Sequence, residues 1–478
     1  MKKQAYILLL IIPTVIHPGW IRTYGHDLWD CEGKSIIQTN NGSYLITSKV
    51  IYNQQADINL LYLSSEGDSI WAKTYGGNQD DYPYNAIETF DGGYAVFGWT
   101  KSYGAGLEDA WLIKTNPQGD IIWSKTFGEY SLNDYGIHGQ QTSNSGFIIT
   151  GYRGNWGSYH VWLIKTDQQG ETLWTKTYGQ ELGTVNQGLA VQQTDDGGFI
   201  VVGKTNYNFP ESDIYVIRTD HQGNLCWSQI YGFNQSGDID ATTGYSIVQT
   251  DNGGFVIAGS AFYTGHDHIS AYLLKIDSLG RKEWEKIYGG SSWDRVLSVK
   301  QCEDQGYIIA GWTCSFGNGN QYAYLIKTDS TGDSMWTRIY GGIKDDGANW
   351  VELTADGGFI ICGWTESFAA YYSAIYVIKT DSMGVAVEEN IITLPTRNCF
   401  SVNYLGNLRT AIRFSLIQSS QVRVDVYDLS GRLLSTPVDN FYPTGEYCIY
   451  WQVPREGVYF FRIRGSDFSC TEKLEVVR

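Results

Sequence analysis

The chain has 478 residues, with 15% aromatic residues, 55 glycines and few prolines or methionines, a composition that suits many short strands joined by tight turns. Its length favours one large domain and one small domain. The chain has 34 Lys and Arg residues and 51 Asp and Glu residues, so its formal charge is −17. A negatively charged surface repels the phosphate backbone, which disfavours nucleic acid as a partner.

The N-terminus has the pattern of an export signal. Lys2 and Lys3 precede an apolar run from Ala5 to Ile16, which is too short to span a bilayer. We therefore expect residues 1–19 to be a signal peptide that is cleaved before Trp20. No later stretch is apolar enough to cross a membrane, so the mature form is predicted to have no transmembrane span.

A repeat dominates the chain up to about residue 390. Its clearest element is Trp-x-x-x-aromatic-Gly, and successive copies start 51, 52, 51, 53, 57 and 52 residues apart, a period typical of propeller blades. We expect these tryptophans to pack between blades, as structural rather than functional residues. They are Trp20, Trp71, Trp123, Trp174, Trp227, Trp284 and Trp336.

Two further elements divide each repeat into four strands. A glycine turn such as Asp91-Gly92-Gly93-Tyr94 favours a hairpin between the first and second strands, and Asp-x-x-Gly separates the third from the fourth, which carries the Trp. Seven copies predict an all-β, seven-bladed β-propeller of four-stranded blades over residues 20–392.

The two ends of the repeat predict how the ring closes. The last Asp-x-x-Gly is followed by Glu388 where the other copies have Trp, whereas Trp20 has no Asp-x-x-Gly before it. One blade therefore lacks its fourth strand, and the N-terminal strand supplies it. This closure also removes two open sheet edges.

A different pattern begins near Leu394. It contains Tyr427-Asp428-Leu429-Ser430-Gly431-Arg432 and Gly457-Val458-Tyr459-Phe460, within alternating strands that predict a small immunoglobulin-like β-sandwich over residues 393–478. The module resembles the type A C-terminal sorting domain of the type IX secretion system and the immunoglobulin-like domain of flagellar hook-capping proteins. Asn398-Cys399-Phe400 stands where that family usually has Asn-Pro-Phe.

This resemblance implies a bacterial secreted β-propeller repeat protein. Its C-terminal domain would engage the secretion machinery, and the protein would reach the exterior or the outer-membrane surface of a Gram-negative bacterium. The other interpretation is an accessory sandwich with no sorting role.

Binding residues are expected on the face where the fourth-to-first and second-to-third strand loops lie, because these loops vary whereas the glycine turns of the opposite face are uniform. Acidic residues recur there at an even spacing, six residues after the aromatic residue of the Trp motif, at Asp30, Asp81, Asp294 and Asp346. They could form a carboxylate ring able to hold calcium or, more simply, cap their loops. Aromatic residues on this variable face could stack on sugar rings. The candidates are Asp81, Tyr82, Tyr135, Trp156, His160, His266, Trp293, Asp294, Asp346 and Trp350.

Catalytic and metal-binding signatures are missing from the sequence. The eight cysteines form no C-x-x-C pair, His266-Asp267-His268 lacks a third ligand, and no nucleophile elbow or phosphate loop occurs. We therefore expect no cofactor apart from calcium if the carboxylates form a ring. The leading hypothesis is a monomeric binding module for a glycan or protein. The alternatives are a polysaccharide-degrading enzyme and a structural or adhesive surface component.

Overall fold

The computed structural model divides the chain into two compact units, Met1–Val387 and Glu388–Arg478. The residues that the structure describes are 19–25, 29–155, 157–179, 184–206, 212–232, 241–262, 268–316, 319–369, 372–386, 399–406, 409–416, 420–442, 445–466 and 468–476.

The described residues of unit 1 form seven four-stranded antiparallel sheets, which we call blades 1 to 7. The strands of blades 1 to 6 follow chain order, and blade 7 has the order β1-β28-β27-β26. The strands are β1 (Trp20–Tyr24); β2 (Asp30–Gln38), β3 (Tyr44–Tyr52), β4 (Gln55–Leu63), β5 (Ser69–Tyr75); β6 (Asp81–Glu88), β7 (Tyr94–Thr100), β8 (Asp109–Thr115), β9 (Ile121–Phe127); β10 (Asn133–Gln141), β11 (Phe147–Asn155), β12 (Ser158–Thr166), β13 (Thr172–Tyr178); β14 (Asn186–Gln193), β15 (Phe199–Thr205), β16 (Asp213–Thr219), β17 (Leu225–Tyr231); β18 (Ala241–Gln249), β19 (Phe255–Phe262), β20 (Ile269–Ile276), β21 (Lys282–Tyr288); β22 (Asp294–Gln301), β23 (Tyr307–Thr313), β24 (Tyr322–Thr328), β25 (Ser334–Tyr340); β26 (Asp346–Leu353), β27 (Phe359–Thr365) and β28 (Ala374–Thr380).

The ring closes through the N-terminal strand. β1 pairs antiparallel with β28, with Trp20 opposite Lys379 and Tyr24 opposite Ile375. Blade 7 also packs against blade 1, since Cys362 and Val377 share a hydrophobic cluster with Ile36 and Ile46. The all-β prediction with repeated four-stranded propeller sheets is therefore confirmed, and the strand that carries the unpaired first Trp motif completes the last blade.

The two middle strands of each blade are buried on both faces because they lie between neighbouring sheets. In blade 2, every residue of β8 is buried and only one residue of β7 is half-exposed, whereas β9 alternates between exposed and covered residues. The continuous apolar runs of the sequence thus become middle strands. The clusters cross blade boundaries: Val202 of blade 4 packs with Ile257 and Tyr272 of blade 5.

Each motif Trp packs on a glycine of the next blade. A Cβ added to that glycine would stand about 2.7–3.0 Å from the indole ring, and each of these glycines has a φ between +70° and +83°. Both the backbone conformation and the ring contact therefore require glycine. The pairs are Trp20–Gly67, Trp71–Gly119, Trp123–Gly170, Trp174–Gly223, Trp227–Gly280, Trp284–Gly332 and Trp336–Gly384.

Unit 2 contains a three-stranded sheet of order β29-β30-β33 and a four-stranded sheet of order β32-β31-β34-β35. Buried Phe414 of the first sheet packs in one core with Val424 and Phe461 of the second, so the unit is a two-layer β structure. Its immunoglobulin-like identity stays a prediction. The strands are β29 (Cys399–Gly406), β30 (Arg409–Leu416), β31 (Ser420–Asp428), β32 (Leu433–Tyr442), β33 (Gly445–Gln452), β34 (Gly457–Arg464) and β35 (Ser469–Val476).

Among the residues that the structure describes, no helix has the length and apolar character needed to cross a bilayer.

Candidate functional site

The first strand of each blade lines a central cavity of about 470 Å³. These inner strands are β2, β6, β10, β14, β18, β22 and β26, and each contains a register shift of one residue against the second strand of its blade. A bulge of this kind re-aims one side chain. The bulged residues are Lys34, Tyr84, Ile137, Leu189, Tyr245, Leu297 and Asn349, and all of them line the cavity.

A belt of hydrogen bonds joins neighbouring inner strands just after the bulges. The Ser35 hydroxyl accepts from the Ala86 amide at 3.2 Å, and the Asn85 side chain bonds both the amide and the carbonyl of Gly139. Ser246 and Ser298 make the same kind of bond to Val299 and Val351. Ala190 and Trp350 occupy this position in blades 4 and 7, so the belt is interrupted there.

His138 and Trp350 meet across the cavity from blades 3 and 7. Their rings stack with centroids 5.9 Å apart, and the Lys300 ammonium lies 5.4 Å from the Trp350 ring. Burial, reinforced by the charge of Lys300, lowers the pKa of His138 to about 4, so the imidazole is neutral near pH 7. Its Nδ1 accepts from the Val191 amide at 3.4 Å, which leaves the proton on Nε2.

In each blade, the inner-strand residue two positions before the bulged residue is paired with a residue of the second strand. These seven pairs surround the opening of the cavity, and we call them the mouth ring. Blades 2 and 3 contribute aromatic pairs, whereas blades 4 to 6 contribute polar, cationic or mixed pairs. The seven pairs are Glu32–Lys49, Tyr82–Trp99, Tyr135–Tyr152, Gln187–Lys204, Thr243–Ser260, Arg295–Trp312 and Gly347–Trp364.

The aromatic pairs form a continuous arc. Tyr82 and Trp99 stack with their ring centroids 5.4 Å apart and their planes 3° apart, and the edge of Tyr135 meets Trp99 at 5.7 Å. Tyr152 continues the arc at 4.7 Å from Tyr135. The Lys34 ammonium lies 5.2 Å from the centre of the Tyr82 ring, which gives this arc a cationic end.

A second pocket of about 380 Å³ opens between blades 7 and 1. It is lined by Trp364, Tyr372, Asp30, Glu32, Lys49, Glu366 and Ser373. The Trp364 ring lies against the inner strand because the residue beneath it is Gly347, where a Cβ would stand 2.8 Å from the ring. Tyr372 is 59% exposed.

Glu32 belongs both to this pocket and to the mouth ring, and its charge is neutralised by two lysines of the protein. Lys34 and Lys49 lie 2.6 and 3.0 Å from the Glu32 carboxylate. Burial opposes ionisation of Glu32, but the two lysines outweigh it and hold the pKa of Glu32 below its usual value.

The recurring loop carboxylates are enclosed rather than open to a ligand. Asp81, Asp294 and Asp346 are fully buried. Asp294 accepts hydrogen bonds from Thr313 Oγ1, from Ser315 Oγ at 2.6 Å and from the Gly290 amide at 2.9 Å; Asp81 and Asp346 have the equivalent partners. These aspartates therefore cap their loops, which favours the simpler of the two interpretations.

The register corrects the position of Asp30. Asp81, Asp294 and Asp346 each lie three residues before the bulged residue of their strand, and in blade 1 this position holds buried Cys31. Asp30 lies one residue earlier, where the Ser373 hydroxyl donates to its carboxylate. The carboxylate ring expected from the even sequence spacing is thus interrupted in blade 1. Within the described residues, no three His, Cys, Asp or Glu side chains are grouped so that they could hold a metal ion.

The other predicted site residues are dispersed. Tyr82, Tyr135 and Trp350 lie at the mouth ring or the cavity, whereas Trp293 is a 46% exposed loop residue. The His160 ring nitrogen Nδ1 contacts the Gly179 carbonyl at 2.8 Å. Trp156 and His266 lie outside the described residues.

Sequence reasoning missed the second-strand half of the mouth ring. Trp99, Trp312 and Trp364 each follow a glycine and precede a threonine at the end of a buried strand. A Trp that ends an otherwise aliphatic run was the available signal. Lys204 and Arg295 carried no local signal, since their significance depends on neighbours in other blades.

No protein-family model matches the chain, and a search of curated proteins gives no match. Among solved structures, the chain is similar to a protein of unknown function from Dyadobacter fermentans DSM 18053 (13% identity, 75% of this chain and 99% of that chain, TM-score 0.42). It is also similar to the Pan2 WD40 domain of Neurospora crassa (10%, 74% and 97%, TM-score 0.44). A third similarity is to the S511A mutant of puromycin hydrolase complexed with PGG (8%, 78% and 57%, TM-score 0.47). At these identities no activity passes from those proteins to this chain.

Proposed function

We propose that this protein is a secreted or cell-surface binding module that takes a carbohydrate at the mouth of its propeller. The observation that carries the proposal is the Trp364 pocket, where an indole ring held against Gly347 stands beside carboxylates and a lysine. Apolar ring faces stack on the C–H faces of sugars, and carboxylates accept hydrogen bonds from sugar hydroxyls. The two kinds of group are adjacent in this pocket.

The surroundings of the pocket support an extended ligand. The aromatic arc of blades 2 and 3 continues the mouth ring beyond Lys49, so a chain of sugar units would meet further rings after leaving Trp364. The rings are held by buried strands and by each other. A rigid platform of this kind loses little conformational entropy when a ligand binds.

Export is the second part of the proposal. Residues 388–478 form a compact unit with its own core, and their sequence resembles type IX sorting domains. We propose that this unit directs the protein through the outer membrane of a Gram-negative bacterium. Attaching residues 388–478 to a periplasmic reporter in a host with that secretion system tests this part. The reporter is expected on the cell surface or in the medium, and retention in the periplasm contradicts it.

The binding proposal is tested with the full mature chain on an array of neutral and charged glycans. We expect at least one glycan class to bind, with Trp364→Ala weakening that binding about tenfold or more. Phe90→Ala is the matched control, because Phe90 is 71% exposed on the opposite face, in the turn between β6 and β7. No binding to any glycan, or equal binding by the Trp364 variant, contradicts the proposal.

The same protein and glycans also test the alternative that the protein is a polysaccharide-degrading enzyme. Asp30 and Glu366 line the same pocket as Trp364, and a pair of carboxyl groups beside a sugar is what glycoside hydrolysis requires. Any glycan that binds is incubated with the protein and the products are analysed. Cleavage that Glu366→Gln abolishes establishes the enzyme, whereas intact glycan supports the binding module.

A further inference from the structure

The mouth ring changes character on the side formed by blades 4 to 6. Blades 2 and 3 fill their ring positions with large aromatic pairs, but blade 5 has only Thr243 and Ser260. Ser260 is buried and the Thr243 hydroxyl lies 3.4 Å from Ser212 Oγ. Both side chains of this pair are small and carry a hydroxyl group, and we call this ring position of blade 5 the notch.

A cation stands on each side of this notch. Lys204 of blade 4 and Arg295 of blade 6 occupy the neighbouring ring positions. Burial, and after it the charge of Arg295, hold the pKa of Lys204 below its usual value.

Arg295 is held in place by aromatic rings instead of by an acid. Its guanidinium lies 5.5 Å from the centre of the Tyr245 ring and 5.4 Å from that of Trp312. Its Nε is buried and makes no hydrogen bond to any described residue. A guanidinium fixed in this way has donors left for a planar anion.

The other cations around the mouth are neutralised by acids of the protein. Lys34 and Lys49 pair with Glu32, Lys101 lies 3.3 Å from Glu108, and Arg153 lies 2.9 Å from both Asp134 and Glu129. Among the described residues, Lys204 and Arg295 have no carboxylate within ion-pair distance. In a chain of formal charge −17, two cations without an acid on either side of one ring position are a specific feature, because acids are abundant elsewhere.

We infer that the notch between Lys204 and Arg295 binds the anionic group of an acidic sugar, a carboxylate or a sulfate ester. The anion lies over Thr243 and Ser260, accepts from the guanidinium and the ammonium, and is joined to a chain that continues along the mouth ring. The inference rests on the proposed carbohydrate binding and names the class of sugar. It assigns charge selection to blades 4 to 6 and stacking to Trp364.

The test compares three glycans by titration calorimetry on the full mature chain: polygalacturonate oligomers, a sulfated galactan and neutral galactan. We expect one or both anionic glycans to bind at least about tenfold more tightly than neutral galactan, and to weaken as salt is raised. Arg295→Gln and Lys204→Gln each reduce the affinity for anionic glycans about tenfold relative to the affinity for neutral galactan. Lys176→Gln, on an exposed outer strand, removes the same charge and is the control.

Folding is monitored separately, because Arg295 packs between two rings. Arg295→Lys keeps the charge and is expected to retain part of the selectivity, and the melting temperature of each variant is measured alongside. A Lys204→Gln variant that melts like the wild type and still prefers anionic glycans overturns the inference. Equal affinity for polyglutamate and polygalacturonate also overturns it, since the site would then not require a sugar.

The outcomes separate the two proposals. If no glycan binds, the proposed function fails. If neutral galactan binds through Trp364 as tightly as the acidic glycans, the function stands and the acidic-sugar inference fails. Preference for sulfated galactan over polygalacturonate, or the reverse, identifies which anion the notch accepts and supports the inference.

Discussion

The Tyr75 hydroxyl donates a buried hydrogen bond of 2.6 Å to the carbonyl oxygen of Gly119, joining the last strand of blade 1 to a turn of blade 2. Trp71 of the same strand packs on that glycine. The Trp and the aromatic residue of the sequence motif therefore contact the same glycine of the next blade. Tyr178, Tyr231, Tyr288 and Tyr340 repeat the bond to Gly223, Gly280, Gly332 and Gly384.

Removing one of these hydroxyls should weaken the ring by a small, measurable amount. Tyr75→Phe leaves the Gly119 carbonyl buried without its donor, so we expect the free energy of unfolding to fall by about 1–2 kcal/mol in urea titration. Blade 2 offers the reverse test, because Phe127 stands at the equivalent position. Phe127→Tyr should raise stability by up to about 1 kcal/mol. Unchanged stability in both variants contradicts the role of the bond.

The glycines under the tryptophans should tolerate alanine less well than other turn glycines. Gly223 and Gly253 have φ values of +75° and +80°, but a Cβ meets the Trp174 ring at 2.9 Å only at Gly223. We expect Gly253→Ala to cost about 1 kcal/mol from backbone strain and Gly223→Ala about 2–4 kcal/mol. Equal losses in chemical denaturation would show that ring packing contributes nothing.

Ring closure predicts that the N-terminal strand is essential for stability. A chain that begins at Asp30 lacks β1, so the edge of β28 is exposed and Gly67 loses Trp20. We expect a lower melting temperature and self-association on size-exclusion chromatography. A chain that begins at Gly19 is the control. An equally stable and monomeric truncated chain contradicts the closure.

His138 should make the protein sensitive to mild acid. The folded state keeps it neutral down to about pH 4, whereas in the unfolded chain it binds a proton near its ordinary pKa of 6.5. The unfolded state therefore gains the proton first, and up to about 3 kcal/mol of stability, present above pH 6.5, is lost as the pH falls to 4.

This loss is measured as the change in urea midpoint between neutral and acid pH. His138→Asn introduces the residue that Asn85 provides at the equivalent position of the neighbouring inner strand, and it should flatten the profile between these pH values. Gln140→Asn, on the same inner strand, removes no titratable group and is the control; it should keep the wild-type slope. A wild-type slope in the His138 variant contradicts this account.

The loop aspartates should matter for folding and not for calcium. Asp294→Ala removes the acceptor for Thr313, Ser315 and Gly290, with an expected cost of about 2–4 kcal/mol. About 1 mM calcium should leave the wild-type melting temperature unchanged, because protein donors already occupy these carboxylates. A calcium-dependent rise that Asp294→Ala abolishes would restore the carboxylate ring as a cation site.

The blade repeat and the ring closure were readable in the sequence because their signals are local. A Trp, an aromatic residue and a glycine at fixed spacing define one strand and its turn, and each copy reports its own blade. The unpaired motif at Trp20 and the missing Trp at Glu388 then required the first strand to pair with the last blade. Loop capping by aspartate also followed from local spacing.

The site itself depended on the tertiary structure, for two physical reasons. One bulge in each inner strand shifts the register by a residue, which places Cys31 rather than Asp30 at the capping position and turns Tyr245 and Asn349 towards the cavity. Closure of the ring also brings together residues that are far apart in the chain, such as Glu32 and Asn349, whose side chains hydrogen-bond across 317 residues. Neighbours of this kind also decide whether a cation has an acid beside it. The sequence therefore determined the scaffold, whereas the folded ring decided which side chains face a ligand.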